Sequence, residues 1–203
     1  MNLKLKGFGN MDKKAILVLK DGSVFHGKGF GAVKSIMGEL VFNTSMQGYQ
    51  ETLTDPSYAG QIVTMSYPLI GNYGLNEKRK ESNNVQVYGF VVKELDNDSG
   101  IDKYLEKEEV SGIKDVDTRA LVRKIRNHGV ISAYLEVYTQ KEPDVNKIIE
   151  KLNFDYSDIN FIKDLHRVQI FEKCDEQKLC TSVHIESHFS NEVSNKKDQI
   201  YGN

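Results

Sequence analysis

Several things are scarce in these 203 residues, and each scarcity narrows the field. There are only two cysteines, Cys174 and Cys180, with no spacing that suggests a disulfide framework, which points to a reducing compartment. No apolar run approaches the roughly 18 residues of a membrane span. Lys4 and Lys6 precede a short apolar run, Ala15 to Leu19, that comes too late and ends too soon for a signal peptide. Met11 offers a second start, with the first ten residues as a ragged extension. A basic surplus is also missing: 27 Lys and Arg face 29 Asp and Glu, for a net charge of −2. That balance speaks against an electrostatic nucleic-acid binder. The expectation is a cytoplasmic protein that binds neither nucleic acid nor membrane. A hydrophobic share of 39% suits one well-buried domain with an appendage, or two very small domains.

The first part of the chain reads as strand. Ala15 to Leu19 is apolar, Asp21-Gly22 suits a tight hairpin turn, and Val24 to Phe30 returns. Gly27, Gly29 and Gly31 inside that return suggest a bent strand closely approached by another backbone. Leu40 to Phe42, Gln61 to Met65 and Val85 to Val92 read as further strands. Ile101 to Glu109 is a short helix candidate. Asp117 is an N-cap for a clearer one, with Leu121, Val122 and Ile125 at helical spacing, cations in its last turn and Gly129 as its stop. Val130 to Tyr138 returns as strand, and Pro143 to Leu152 is a second amphipathic helix. Strands followed by helices predict an α/β fold, with sheet layers and helices gathered on one face. The rhythm stops near Leu152. The domain is expected over residues 12–152, and residues 153–203, with one glycine and no proline, read as a divergent, partly ordered linker and tail.

Asn43 to Gly74, NTSMQGYQETLTDPSYAGQIVTMSYPLIGNYG, is the most unusual stretch. It is rich in hydroxyls and amides but carries only two charges, Glu51 and Asp55, in a chain that is 28% charged. A long neutral polar loop suits contact with a protein surface or a polar ligand, with Tyr49 and Tyr67 as aromatic anchors.

Three segments, LVLKDGSVFHGKGFG, GELVFNTSMQGYQETLTDPSYAGQIVTMSYPLIGNYG and DVDTRALVRKIRNHGVI, resemble in order the amino-terminal domain of the small, glutamine-handling subunit of carbamoyl-phosphate synthase. The resemblance implies a layered β/β/α domain of the swivelling type, docked on the large synthetase subunit and flanking a glutaminase domain. It implies a part in arginine and pyrimidine synthesis, with ATP and Mg belonging to the large subunit and no cofactor on this chain. One site residue carries over: Ser57, in Asp55-Pro56-Ser57-Tyr58, corresponds to a serine of the family's glutamine site. From local sequence alone, Ser57 reads as a turn cap.

The chain departs from the family pattern in two places. The segment between Leu95 and Tyr104 is shorter. The glutaminase nucleophile belongs on a glycine-flanked elbow with a downstream His and Glu, and neither Cys174 nor Cys180 has that setting. These residues alone are therefore expected to be non-catalytic. The role implied is docking and framing the glutamine site, with a separate glutaminase polypeptide as a possible second partner. The alternatives are a stand-alone remnant, a protein repurposed for ligand or metal binding, or half of a split glutaminase subunit.

Other motifs have plainer readings. Gly27-Lys28-Gly29-Phe30-Gly31 lacks the spacing of a phosphate loop. Gly71 to Gly74 reads as a turn. Cys174, Cys180, His184 and His188 could offer zinc two sulfurs and two imidazoles, but their spacing fits no known finger. Arg119, Arg123, Lys124 and Arg126 form a basic helix face, either solvated or a docking patch for an acidic partner.

Overall fold

The computed structural model describes residues 12–153. The tail reading and the question of Cys174, Cys180, His184 and His188 lie outside the described residues. Among the described residues, nine strands and four helices follow in chain order: β1 (Lys14–Leu19), β2 (Val24–Gly31), β3 (Ser35–Asn43), α1 (Tyr49–Thr54), β4 (Gln61–Met65), β5 (Leu69–Ile70), β6 (Gly89–Val91), β7 (Glu94–Leu95), α2 (Ile101–Lys107), β8 (Ser111–Lys114), α3 (Thr118–His128), β9 (Ile131–Tyr138) and α4 (Val145–Asn153). Three-residue 3-10 turns fall at Pro56–Tyr58, Glu77–Arg79 and Asn97–Ser99.

Seven strands close into a barrel in the order β1-β2-β8-β6-β4-β3-β9. The seam is antiparallel, with Lys14 opposite Tyr138 and Leu19 opposite Ala133. The pairs β3–β4, β4–β6 and β6–β8 are parallel, and β5 and β7 form a separate two-stranded sheet. The fold is mixed α/β with a sheet-dominated core.

Side-chain alternation distributes the apolar residues among three cores. Leu17 and Leu19 of β1, Leu40 of β3, Ile62 of β4, Val91 of β6, Ile113 of β8 and Leu135 of β9 share one cluster that fills the barrel, joined by Leu121 and Ile125 of α3. The alternate residues Val63, Met65, Phe90 and Val92 face outward and meet Tyr49 and Leu53 of α1 and Ile101 and Leu105 of α2. Ile16 and Val18 also face outward, against Ile148 and Leu152 of α4. The helices are therefore not gathered on one face. Strands such as β1 are apolar on both sides, so each outward stripe needs its own cover.

Local signals explain most boundaries. Gly22 adopts φ 84°, its N–H donates to the Leu19 carbonyl at 2.9 Å, and Asp21 Oδ1 accepts from the Ser23 N–H at 2.9 Å. The Asp117 carboxylate caps α3 by accepting from the Ala120 N–H at 2.9 Å, and Gly129 ends the helix at φ 76°. The strand glycines are there for close approach. A Cβ on Gly27 would lie 2.2 Å from the Lys114 carbonyl oxygen, and one on Gly29 would lie 2.5 Å from Val137. The strand expected over Val85 to Val92 shrinks to Gly89–Val91, because Gln86 donates its backbone N–H to Leu53 instead.

The β1–β2 turn is tied to α3 by an ion pair between Asp21 and Lys124, side chains 28% and 35% exposed. Partial burial pulls the Asp21 pKa upward. Hydrogen bonds from Lys124 and Ser23, with the Lys124 charge, outweigh it and bring the value from an ordinary 3.8 to about 2. A carboxylate depressed on folding adds stability that is present above its ordinary pKa and lost as pH falls towards about 2. Allowing for solvent screening, the contribution is about 1 kcal/mol. Urea unfolding of Asp21→Asn should show a deficit of that size at pH 7 that closes between about pH 4 and pH 2. A deficit constant with pH would exclude the ion pair as its source.

Candidate functional site

The polar stretch from Asn43 to Gly74 is not a loop laid over the surface. It contains α1, a 3-10 turn, β4 and β5, and much of its hydrogen-bonding capacity is spent internally. The helix α1 is only six residues long, too short to be stable alone. Its N-cap, Gly48, sits at φ 87° and has no side chain to offer. Tyr73, from the Gly71–Gly74 turn, supplies the missing acceptor. Its phenol oxygen accepts from the backbone N–H groups of Gly48 at 2.6 Å and Tyr49 at 3.1 Å. In return, the Tyr49 hydroxyl donates to the Gly74 carbonyl at 2.5 Å. The two rings stack at 4.2 Å between centroids, and the Arg79 guanidinium lies 4.5 Å from the Tyr73 ring centroid. Burial, followed by the neighbouring Tyr73, pushes the Tyr49 phenol up to about 12, so it stays a donor at neutral pH.

The rest of α1 anchors the chain that follows. The buried Gln50 accepts from the Asn76 N–H at 2.7 Å. The Thr54 hydroxyl donates to the Gln50 carbonyl at 2.9 Å and accepts from the Glu81 N–H at 2.9 Å. Ser82 donates its hydroxyl to the Thr54 carbonyl at 2.6 Å. Asn43, at the end of β3, donates to Thr52 at 3.1 Å and to Tyr58 at 3.2 Å, fastening the 3-10 turn to the helix.

This wiring changes the roles of the two expected aromatic anchors. Tyr49 is 1% exposed, so it belongs to the core and cannot be a surface anchor. Tyr67 is half-buried and packs against the same cluster. What α1 leaves facing outward is a polar edge: Thr44, Ser45, Met46, Gln47, Pro56 and Ser57 are exposed, Met46 to 70%.

Ser57 stands at the centre of the Pro56–Tyr58 turn. The capping residue there is Asp55, whose Oδ1 accepts from the Ser57 N–H at 2.8 Å. Asp55 itself is extended, at φ −73° and ψ 120°, as a residue before proline should be. The Ser57 hydroxyl has no hydrogen-bond partner among the described residues and points from an exposed turn held on two sides. The turn-cap function lies with its neighbour, and the hydroxyl is left available. Among the described residues no three His, Cys, Asp or Glu side chains converge as a metal site would require, and no helix is long and apolar enough to cross a membrane.

The model of the carbamoyl-phosphate synthase small chain, CPSase domain, matches residues 17–135. The chain belongs to that family. The carbamoyl phosphate synthase small chain of Methanocaldococcus jannaschii is 47% identical over 150 residues, which make up 73% of this chain and 42% of that protein. The small chain of Aquifex aeolicus is 48% identical over 170 residues, 79% of this chain and 45% of its own length. A pyrimidine-specific small chain from Halalkalibacterium halodurans is 46% identical, covering 68% of this chain and 40% of that one. The chain thus spans less than half the length of these small-chain relatives. A solved aminopeptidase from Aneurinibacillus sp. strain AM-1 aligns at TM-score 0.40 and 15% identity, over 66% of this chain and 35% of that chain, too weakly to carry an argument.

The matched range includes both tyrosines of the interlock and the Asp55 to Tyr58 turn. Sequence reading missed Tyr73, and the available signal was Gly48: a glycine at a helix N-cap needs its acceptor from elsewhere. Tyr73→Phe removes that acceptor while keeping the ring. It should lower stability by about 1–3 kcal/mol in chemical denaturation, the cost of leaving buried donors unpaired. A variant as stable as the parent would mean that water replaces the phenol oxygen.

Proposed function

We propose that this chain serves as the amino-terminal part of the small subunit of a glutamine-dependent carbamoyl-phosphate synthase. It docks on the large synthetase subunit and frames the glutamine site without performing the chemistry. Glutamine hydrolysis takes place on a glutaminase domain outside these 203 residues, and both phosphorylations, with their ATP and Mg, take place on the large subunit. The observation that carries this reading, beside family membership, is the unengaged Ser57 hydroxyl on a turn braced by Asp55, Asn43 and Tyr58. A serine held so firmly, with its oxygen free, suits a hydrogen bond to the amino-acid portion of glutamine. The exposed edge around Met46 suits contact with a neighbouring domain.

Size-exclusion chromatography with light scattering, on the full chain mixed with a carbamoyl-phosphate synthase large subunit, should give a stoichiometric complex at micromolar concentration. Separate elution would overturn the docking role. In a complex that includes the glutaminase domain, Ser57→Ala should raise the glutamine KM about fivefold, the worth of one hydrogen bond. The rate with ammonia should stay unchanged. An unaltered KM would remove Ser57 from the site.

A further inference from the structure

The chain contains 27 basic residues, of which 22 are lysine and only five arginine. Three of those five, Arg119, Arg123 and Arg126, lie on the single helix α3. Of the other two, Arg79 is stacked on Tyr73, and Arg167 is outside the described residues. Positions i, i+4 and i+7 place the three arginines along one stripe about 10 Å long. The opposite side of the helix, Thr118, Leu121 and Ile125, is buried, and all three arginines are exposed.

Among the described residues the stripe has no internal use. None of the three arginines forms an ion pair with a described carboxylate, whereas Lys124 on the same helix is paired with Asp21. Ala120 and Asn127, which flank the stripe, are exposed too, so no described residue covers the face. Dipole complementarity accounts for Arg126 in the last turn but not for Arg119 in the first turn, where a cation is opposed by the helix dipole. Solubility would be served equally well by lysine, the cation this chain uses nearly everywhere else. Arginine differs from lysine in its planar fork, which binds carboxylates bidentately and is less strongly hydrated.

We infer that the arginine stripe Arg119-Arg123-Arg126 of α3 is a docking surface for an acidic protein surface carrying carboxylates at matching intervals. That the acidic surface belongs to the large synthetase subunit rests on the functional reading above. A polyanionic nucleic acid is the poorer fit. Three cations over two helical turns in a chain of net charge −2 lack the extended positive footprint that phosphate backbones require. Because α3 is seated in the barrel core through Leu121 and Ile125, the stripe is presented on a rigid support, which limits the ordering cost of binding.

The test is a titration of the full chain with the large subunit at low and moderate salt. Three forms are compared: the parent, a triple variant Arg119→Glu, Arg123→Glu and Arg126→Glu, and a triple variant with lysine at the same positions. Thermal melting confirms that the exposed changes leave the fold intact. The expected result is a parent affinity that falls with salt, a loss of at least tenfold with glutamate, and a smaller loss with lysine, which keeps charge but not the fork. If the parent binds and the glutamate variant binds equally well, the stripe is not the docking surface, while the docking role itself stands. If the parent does not bind, the docking role and this inference fall together. Binding of the parent to a 20-base-pair DNA duplex, lost in the glutamate variant, would overturn the preference for an acidic protein.

Discussion

The seam between β1 and β9 is the constraint on which the rest of the structure depends. Six residue pairs, Lys14–Tyr138 to Leu19–Ala133, join the first described strand to the last. Without that pairing β1 and β9 would each present an open edge, and the cluster that fills the barrel would be exposed along its length. With it, strands from both ends of the domain contribute to one interior, and α3 completes it through Leu121 and Ile125. The same closure makes β1 two-faced, since Ala15, Leu17 and Leu19 point into the barrel and Ile16 and Val18 point out to α4.

Against that frame, α1 and its surroundings solve a different problem. A six-residue helix with a glycine cap has little stability of its own, and two devices hold it. Tyr49 and Leu53 enter the outer core, and Tyr73 caps the helix from a turn some 25 positions further on. The low charge of the stretch follows from this use. Buried hydroxyls and amides can satisfy one another at modest cost, whereas buried charges would need paired partners. The polar edge that remains exposed, Thr44 to Gln47 and Pro56-Ser57, is therefore carried on a support whose polar groups are largely satisfied.

The two outward-looking features are built on different terms. Ser57 is fixed by local hydrogen bonds around a 3-10 turn. The arginine stripe is fixed by the burial of the opposite side of its helix. In both cases the exposed group is the part of the element that the described fold does not consume. Family membership covers residues 17–135, a range that contains both.

Much of the element inventory was legible in the sequence because its signals are local. Asp21-Gly22 marks a turn by conformational preference, Asp117 and Gly129 bound α3 by capping, and the glycines of β2 announce a close approach that only a missing Cβ permits. The helix over Thr118–His128 and the strands β1, β2, β4 and β9 follow from apolar spacing. The glutamine-site role expected of Ser57 came only from family resemblance, since Asp55-Pro56-Ser57-Tyr58 by itself reads as a turn. The closure of the sheet, the dispersal of the helices and the burial of Tyr49 were not legible. Each depends on which distant residues meet, and an apolar period says that a face is buried without saying against what. A tyrosine in a polar stretch can anchor a partner or cap its own fold, and the difference is the position of Gly74 and Tyr73. By itself the sequence determined the local conformations and the family. Tertiary structure decided which polar groups were used internally and which were left exposed, because only the closed fold brings donors and acceptors from separate segments within hydrogen-bonding distance.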